Sequence, residues 1–449
     1  MEVHHVSENV RFHPQTLPTE AVVYELDVIP QQINEPSQIC EEEQKLHGFR
    51  NQIHNYEARM DHGKNWEYYK KIVNPFELVY TQKRYMHFPE SICYLRPLSR
   101  SYFKMVEILD ISNFWKDRPT ALSSAHVCEG PGGFIEAVLE EASKRGFSVN
   151  SASAMTLKSK RADVPGWRRA ARFLQEHQNV RILYGHDDTG DIMRPENQQF
   201  FIDRSLGVDL YTADGGFDFS HDYMKQEQLV FPLLLASTKI GLEVLAIGGV
   251  FVLKLFDFYK KSTTDLLYLL SLHFKEWTLY KPGMSRPCNP EHYFIGKGFV
   301  GCSERMKDVM RLWCSQMDGG TGPSVLIKTP YSPAFVQVLE EIRTYSFRVQ
   351  TEYLQRVFDL IDQSDDEQIK QYLRRNERTS QEWCERFCVP MRRAKSTSSS
   401  CHHAVGGLQT DLRVSSPPRW MLGAERPDLL PYGQASEAWS GSVLSLGAE

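Results

Sequence analysis

Five short stretches of the 449-residue chain carry residues whose types and spacing could do chemistry. One is Glu129-Gly130-Pro131-Gly132-Gly133-Phe134, set between an apolar run and an amphipathic one. Glycines there let backbone approach a ligand closely, and a helix start offers N–H groups without partners. The spacing is not the G-x-G-x-x-G of dinucleotide binders, and Pro131 stiffens the turn. By itself the segment reads as a loop for a nucleotide-like cofactor or as a plain strand–helix turn. Asp214 closes an apolar strand and precedes Gly215-Gly216. It is either a carboxylate at the ligand-binding edge of an open sheet or a turn residue accepting backbone N–H bonds. Lys254 interrupts a run of Val, Phe and Leu. A lysine inside a central strand is costly to bury without a partner, and burial lowers its pKa. The alternative is an edge-strand lysine reaching solvent, against which the aliphatic neighbours on both sides argue. Lys104 and Glu291 are ordinary in isolation, a solvated helix lysine and a loop carboxylate.

These residues need elements to hold them, and residues 96–300 supply an alternating rhythm of strands and helices. Helices are expected at 101–109, 132–145, 226–246 and 266–274. Strands are expected at 125–128, 180–184, 207–212 and 250–256, with 277–280 and 292–296 as a closing hairpin. This is an α/β domain with a mostly parallel sheet. Residues 1–95 read as an N-terminal extension, helical and aromatic from about 41 to 71. Residues 301–392 form a helical C-terminal segment, with helices at 333–349, 351–361 and 365–375. From 393 to 449 Ser, Gly, Pro and Ala dominate, the composition of a disordered tail.

Taken together, 96–299 resembles the FtsJ-like family of RNA ribose 2′-O-methyltransferases. The resemblance is carried by His126-Val127-Cys128 leading into the glycine loop, Ala213-Asp214-Gly215-Gly216, Phe251-Val252-Leu253-Lys254 and residues 285–299. It implies a Rossmann-like sheet with helices on both faces and S-adenosyl-L-methionine as cofactor. It maps a catalytic Lys-Asp-Lys-Glu tetrad onto Lys104, Asp214, Lys254 and Glu291. It assigns the cofactor to Glu129, Gly130, Pro131, Gly132, Gly133 and Phe134, with Asp188 and Asp214 as further contacts. Asp214-Gly215-Gly216, Ser285-Arg286-Pro287, the stretch 185–192, Arg194-Pro195-Glu196-Asn197 and Asn74-Pro75-Phe76-Glu77 look like the cap-specific branch. The substrate so implied is the cap-proximal ribose of 5′-capped mRNA; ribosomal or transfer RNA is the alternative, and an inactive RNA-binding scaffold subunit a third. Cys288 and Pro290 depart from the family's usual Ala and Ser, and no acidic residue follows the strand near 154–158. Lys254 is the candidate base, its pKa lowered by Lys104 and burial; alternatively it stays protonated and steers the hydroxyl while the proton leaves late.

The net charge of −5 excludes a global basic field, so RNA must meet a local patch. Lys158, Lys160, Arg161, Arg168, Arg169 and Arg172 cluster around Trp167. They suit phosphate contacts plus base stacking, or form a solvated helix face. Nine scattered cysteines fit a reducing compartment better than secretion. No signal peptide or membrane span is expected, which places the protein inside the cell, in the nucleus rather than the cytoplasm. Cys384 and Cys388 with Cys401, His402 and His403 could hold zinc, but core or interface cysteines are the favoured reading and no metal is expected.

Overall fold

The apolar runs of the middle of the chain lie side by side as one eight-stranded sheet. The computed structural model describes residues 10–15, 24–25, 41–59, 64–81, 88–159, 166–216, 226–317, 326–327, 331–363 and 365–392. The expected tail from 393 lies outside them. In chain order, β1 (His13–Pro14) and β2 (Tyr24–Glu25) precede α1 (Glu41–Arg50), α2 (Ile53–Glu57) and α3 (Trp66–Val73). Then come α4 (Ser101–Ile111), β3 (Ala121–Val127), α5 (Gly133–Lys144), β4 (Ser148–Met155), α6 (Ala171–Glu176), β5 (Val180–Leu183) and α7 (Pro195–Ile202). They are followed by β6 (Val208–Ala213), α8 (Gln226–Val244), β7 (Leu245–Leu255), α9 (Lys261–Leu272), β8 (Phe274–Tyr280) and β9 (His292–Phe299). The chain continues through α10 (Glu304–Met317), β10 (Leu326–Ile327), α11 (Pro333–Gln363) and α12 (Asp366–Arg386).

The strand order is β1-β8-β9-β7-β6-β3-β4-β5. Strands β7, β6, β3, β4 and β5 run parallel, while β9 inserts antiparallel between β7 and β8. Parallel strands are covered on both faces, and the side chains of β7 show it. Val250 and Val252 enter a core shared with α4 and α5, whereas Phe251 and Leu253 enter one shared with α8 and α9. Fold class and helices on both faces are as the sequence implied.

Element edges differ in informative ways. Helix α8 stops at Val244 and β7 starts at once, so Gly248-Gly249 lie inside the strand. Gly248 has φ +82, and pairing with β6 shifts register there, a bulge rather than a boundary. Helix α9 starts at Lys261, its polar first turn held by Lys261–Asp265 and by Thr264 donating to Lys260 O. Phe274 belongs to β8, paired with Phe299. Helix α11 runs unbroken through Gln350 and Thr351, which are polar but buried.

A third core joins the two flanks. Leu46, Trp66, Tyr69 and Val73 of α1 and α3 pack with Phe347, Leu354 and Phe358 of α11. Tyr259 and Cys288 from the sheet's edge loops belong to the same cluster. Segments that the sequence sets apart at either end therefore meet beside the carboxyl edge of the sheet.

Candidate active site

Strand β3 sends its connection one way to β4, while β6 lies on its other side, so the strand order reverses between them. An open α/β sheet leaves its ligand crevice at such a point, outside the carboxyl ends of the strands. Both the glycine loop after β3 and Asp214 after β6 end up there. The loop is tightly specified. Gly132 takes φ +104, where a side chain is strained, and its N–H donates to Glu129 O at 2.6 Å. A Cβ on Gly133 would overlap the hydroxyls of Ser99 and Ser101 at the start of α4, so the glycine lets the two helices meet. Helix α5 begins at Gly133, just past the carboxyl end of β3, and its first N–H groups have no intrahelical acceptors.

Glu129 is buried beneath this loop. The Thr212 hydroxyl donates to its Oε1, leaving the Thr212 oxygen to accept from His126 Nδ1 at 2.7 Å. Oε2 lies 3.2 Å from the same imidazole nitrogen but has no hydrogen-bond donor among the described residues. Burial pushes the Glu129 carboxyl above its ordinary pKa, with His126 pulling the other way. Asp188 projects from the loop after β5 at φ +61, its carboxylate exposed and 2.5 Å from Lys158 Nζ. Buried Asn197 shapes that loop, accepting from His186 N at 2.7 Å and donating to Asp187 Oδ1 at 2.8 Å.

The four tetrad residues come from four elements and meet as two ion pairs. Lys254 Nζ of β7 lies 3.1 Å from Asp214 Oδ1, and Lys104 Nζ of α4 lies 2.6 Å from Glu291 Oε1. Tyr293, opposite Lys254 in the β7–β9 ladder, donates to Asp214 Oδ1 at 2.8 Å. Burial favours loss of the Lys254 proton, but Asp214 and Glu291 outweigh it and raise the pKa above the ordinary lysine value. Burial would raise Glu291, yet Lys104 and Lys254 hold it well below the usual carboxylate range. The direction of the Lys254 shift favours its protonated form. The expected lowering of its pKa is corrected, because the two carboxylates outweigh burial, and of the two readings the one in which Lys254 stays protonated fits this geometry.

Three side chains to which the sequence reading gave no role in the site complete the surroundings. Tyr293 stood in the sequence two residues after Glu291. Lys281, beside Pro282 at the start of the loop into β9, donates to Asn289 O at 2.6 Å and Glu291 O at 3.1 Å. Burial, with Lys104 adding repulsion, lowers its pKa to about 8. Glu107, one turn along α4 from Lys104, accepts from Tyr280, Gly283, Met284 and Trp383. On the loop's other flank, Arg286 donates twice to Glu77 at 3.0 Å, with Arg100 3.6 Å away.

Other expectations change. Trp167 is buried against Gly132 rather than open for base stacking, its ring 3.1 Å from where a Cβ at 132 would sit. Arg168, Arg169 and Arg172 are exposed, while Lys160 and Arg161 lie outside the described residues. Cys384 is buried beside Trp383 in α12, and Cys388 falls beyond the helix at φ +51. Cys401, His402 and His403 lie outside the described residues.

Strand order, switch-point loop and helix-covered faces define an α/β domain of the Rossmann-like class. Residues 97–299 match the family model described as FtsJ-like methyltransferase. A zebrafish (Danio rerio) protein named cap-specific mRNA (nucleoside-2'-O-)-methyltransferase 2 is 29% identical over 305 residues, covering 65% of this chain and 40% of the relative. The human (Homo sapiens) cap-specific mRNA (nucleoside-2'-O-)-methyltransferase 1 is 36% identical over 208 residues, covering 43% and 24%. The Dictyostelium discoideum protein of that name is 33% identical over 189 residues, covering 39% and 25%. The chain thus spans two fifths or less of the length of these relatives.

Proposed function

We propose that this chain transfers a methyl group from S-adenosyl-L-methionine to a ribose 2′-hydroxyl of RNA, at the cap-proximal nucleotide of 5′-capped mRNA. The observation that carries the reading is the convergence of Lys254–Asp214 and Lys104–Glu291 beside the glycine loop at the switch point. The named relatives favour the capped substrate over other RNAs.

The crevice suits the cofactor. Glu129 Oε2, a buried acceptor lacking a donor, fits an ammonium group, and the N–H groups opening α5 fit a carboxylate. Asp188 offers an exposed acceptor from the neighbouring loop. When bound, S-adenosyl-L-methionine supplies an electrophilic methyl on a sulfonium. The chain's own work is positioning. Lys254, held cationic by Asp214, hydrogen-bonds the 2′-oxygen and fixes its direction. Tyr293 keeps the Asp214 carboxylate from turning away, and Glu291 holds Lys104 as a second cation beside the oxygen. Cationic Lys254 has no lone pair to take the hydroxyl proton, which passes to solvent water as the oxygen is methylated.

The test is transfer of radiolabelled methyl to short capped and uncapped RNAs, with nuclease mapping of the product. Cap-dependent label on a cap-proximal ribose is expected. Cap-independent label would move the substrate to structured RNA, and no label with RNA binding intact would make the chain a scaffold.

A further inference from the structure

Glu291 stands on the irregular loop between β8 and β9, and irregular backbone keeps its place through bonds to other elements. Two of those bonds come from outside the 97–299 domain. Ser346 and Gln350 of α11 are four residues apart, so they face the same way. Gln350 Nε2 donates to Cys288 O at 2.7 Å. Its Oε1 accepts from Arg50 Nη2 at 2.8 Å, so the amide is fixed at both ends. Arg50, from α1, in turn donates twice to Asp257 at the exit of β7, at 2.8 Å each.

Ser346 Oγ lies 2.9 Å from His292 Nε2, and His292 Nδ1 lies 2.7 Å from Pro290 O. A carbonyl only accepts, so Nδ1 carries the proton. Burial drives the imidazole pKa down to about 3, so the ring is neutral and Nε2 accepts from the Ser346 hydroxyl. Residues 288 and 292 are therefore gripped by one face of α11, and Glu291 lies between the two grips. Arg50, Asp257, Cys288, His292, Ser346 and Gln350 are all buried, so water does not replace a lost bond cheaply.

We propose that Ser346 and Gln350 are positioning residues for Glu291, so that a helix outside the methyltransferase domain, braced by α1 through Arg50, completes the active geometry. The inference rests on the methyltransferase reading above. A displacement of about 1 Å in a reacting group can cost about 100-fold in rate, so a small drift of this loop is enough to matter.

The test uses the full chain with Ser346→Ala and Gln350→Met, singly and together, and repeats the pair in a Glu291→Gln background. The paired variant is expected to stay folded and to bind S-adenosyl-L-methionine within about twofold of wild type by calorimetry, while kcat falls about 10- to 100-fold. In the Glu291→Gln background the same pair should change residual kcat by less than about twofold, because residues acting through one group are not additive. Amide hydrogen exchange across 285–292 should rise in the pair, with or without cofactor. Unchanged exchange in that loop overturns the proposal, and so does an equal loss of kcat in the Glu291→Gln background. A wild-type protein inactive on every RNA defeats the functional reading instead, and the exchange result still decides the positioning role.

Discussion

Removing the acceptor at Glu107 should loosen three elements at once. The buried carboxylate takes hydrogen bonds from Tyr280 OH and Gly283 N at 2.7 Å on Oε2, and from Met284 N at 3.0 Å and Trp383 Nε1 at 2.9 Å on Oε1. Glu107→Leu strands all four donors. At about 1 kcal/mol net each, that is about 4 kcal/mol. Burial raises the Glu107 pKa, so the charge was costly to bury, and its removal offsets part of the loss. The net expectation is about 3 kcal/mol. Spread over the roughly 320 described residues at about 2.1 cal/mol/K each, it lowers Tm by about 4 °C. Glu107→Gln is the discriminating partner. Its carbonyl still serves Met284 and Trp383, and Tyr280 can turn its hydroxyl to accept. Only the Gly283 N–H meets a donor it cannot use, so the cost falls to about 1–2 kcal/mol. Urea unfolding at neutral pH reads both, with unchanged slope and a lower midpoint. A leucine variant as stable as wild type, or a glutamine variant worse than leucine, would refute the reasoning.

Lys254→Met should lower kcat by about 100-fold or more, as loss of an oriented transition-state donor does, with cofactor affinity within a few fold by calorimetry; normal turnover sinks the proposed role. Gly132→Val places a β-branched residue at φ +104 and its Cβ 3.1 Å from Trp167, so titration calorimetry should show cofactor binding lost. Glu77 is held down to about 2 from the ordinary 4.5, because Arg100 and Arg286 outweigh burial. A depressed carboxylate contributes stability above the unfolded value and loses it as pH falls through the folded one. Wild-type stability should therefore drop between pH 4.5 and about 2, and Glu77→Gln, already without the charge, should show a flatter acid limb in urea melts taken across that range.

The apolar runs and their period announced the sheet, and Lys254 announced itself by violating one. The glycine loop, Asp214 and the β8–β9 hairpin were likewise written in local pattern. What stayed hidden depends on distant partners. Lys281 and Glu107 are unremarkable charges until the fold buries them, and Gln350 meets Arg50 across 300 positions of chain. The protonation state of Lys254 was open for the same reason, since it turns on which carboxylate lies nearer. Trp167 misled because an aromatic among arginines has the same local signature whether it faces solvent or fills the space over a glycine.

Residue 254 faces 293 across the β7–β9 ladder, and 255 faces 292. Strand side chains alternate between faces, so this pairing behaves as a parity. Moving β9 by one position would set His292 opposite Lys254 and send Tyr293 to the other face, leaving Asp214 without its phenol. Insertions beyond Phe299 lengthen the exit from the strand and leave that parity alone. A single-residue insertion or deletion between Glu291 and Tyr293 inverts it. Length variation in this protein should therefore be tolerated unevenly, freely past the end of β9 and hardly at all within the two positions that set its frame.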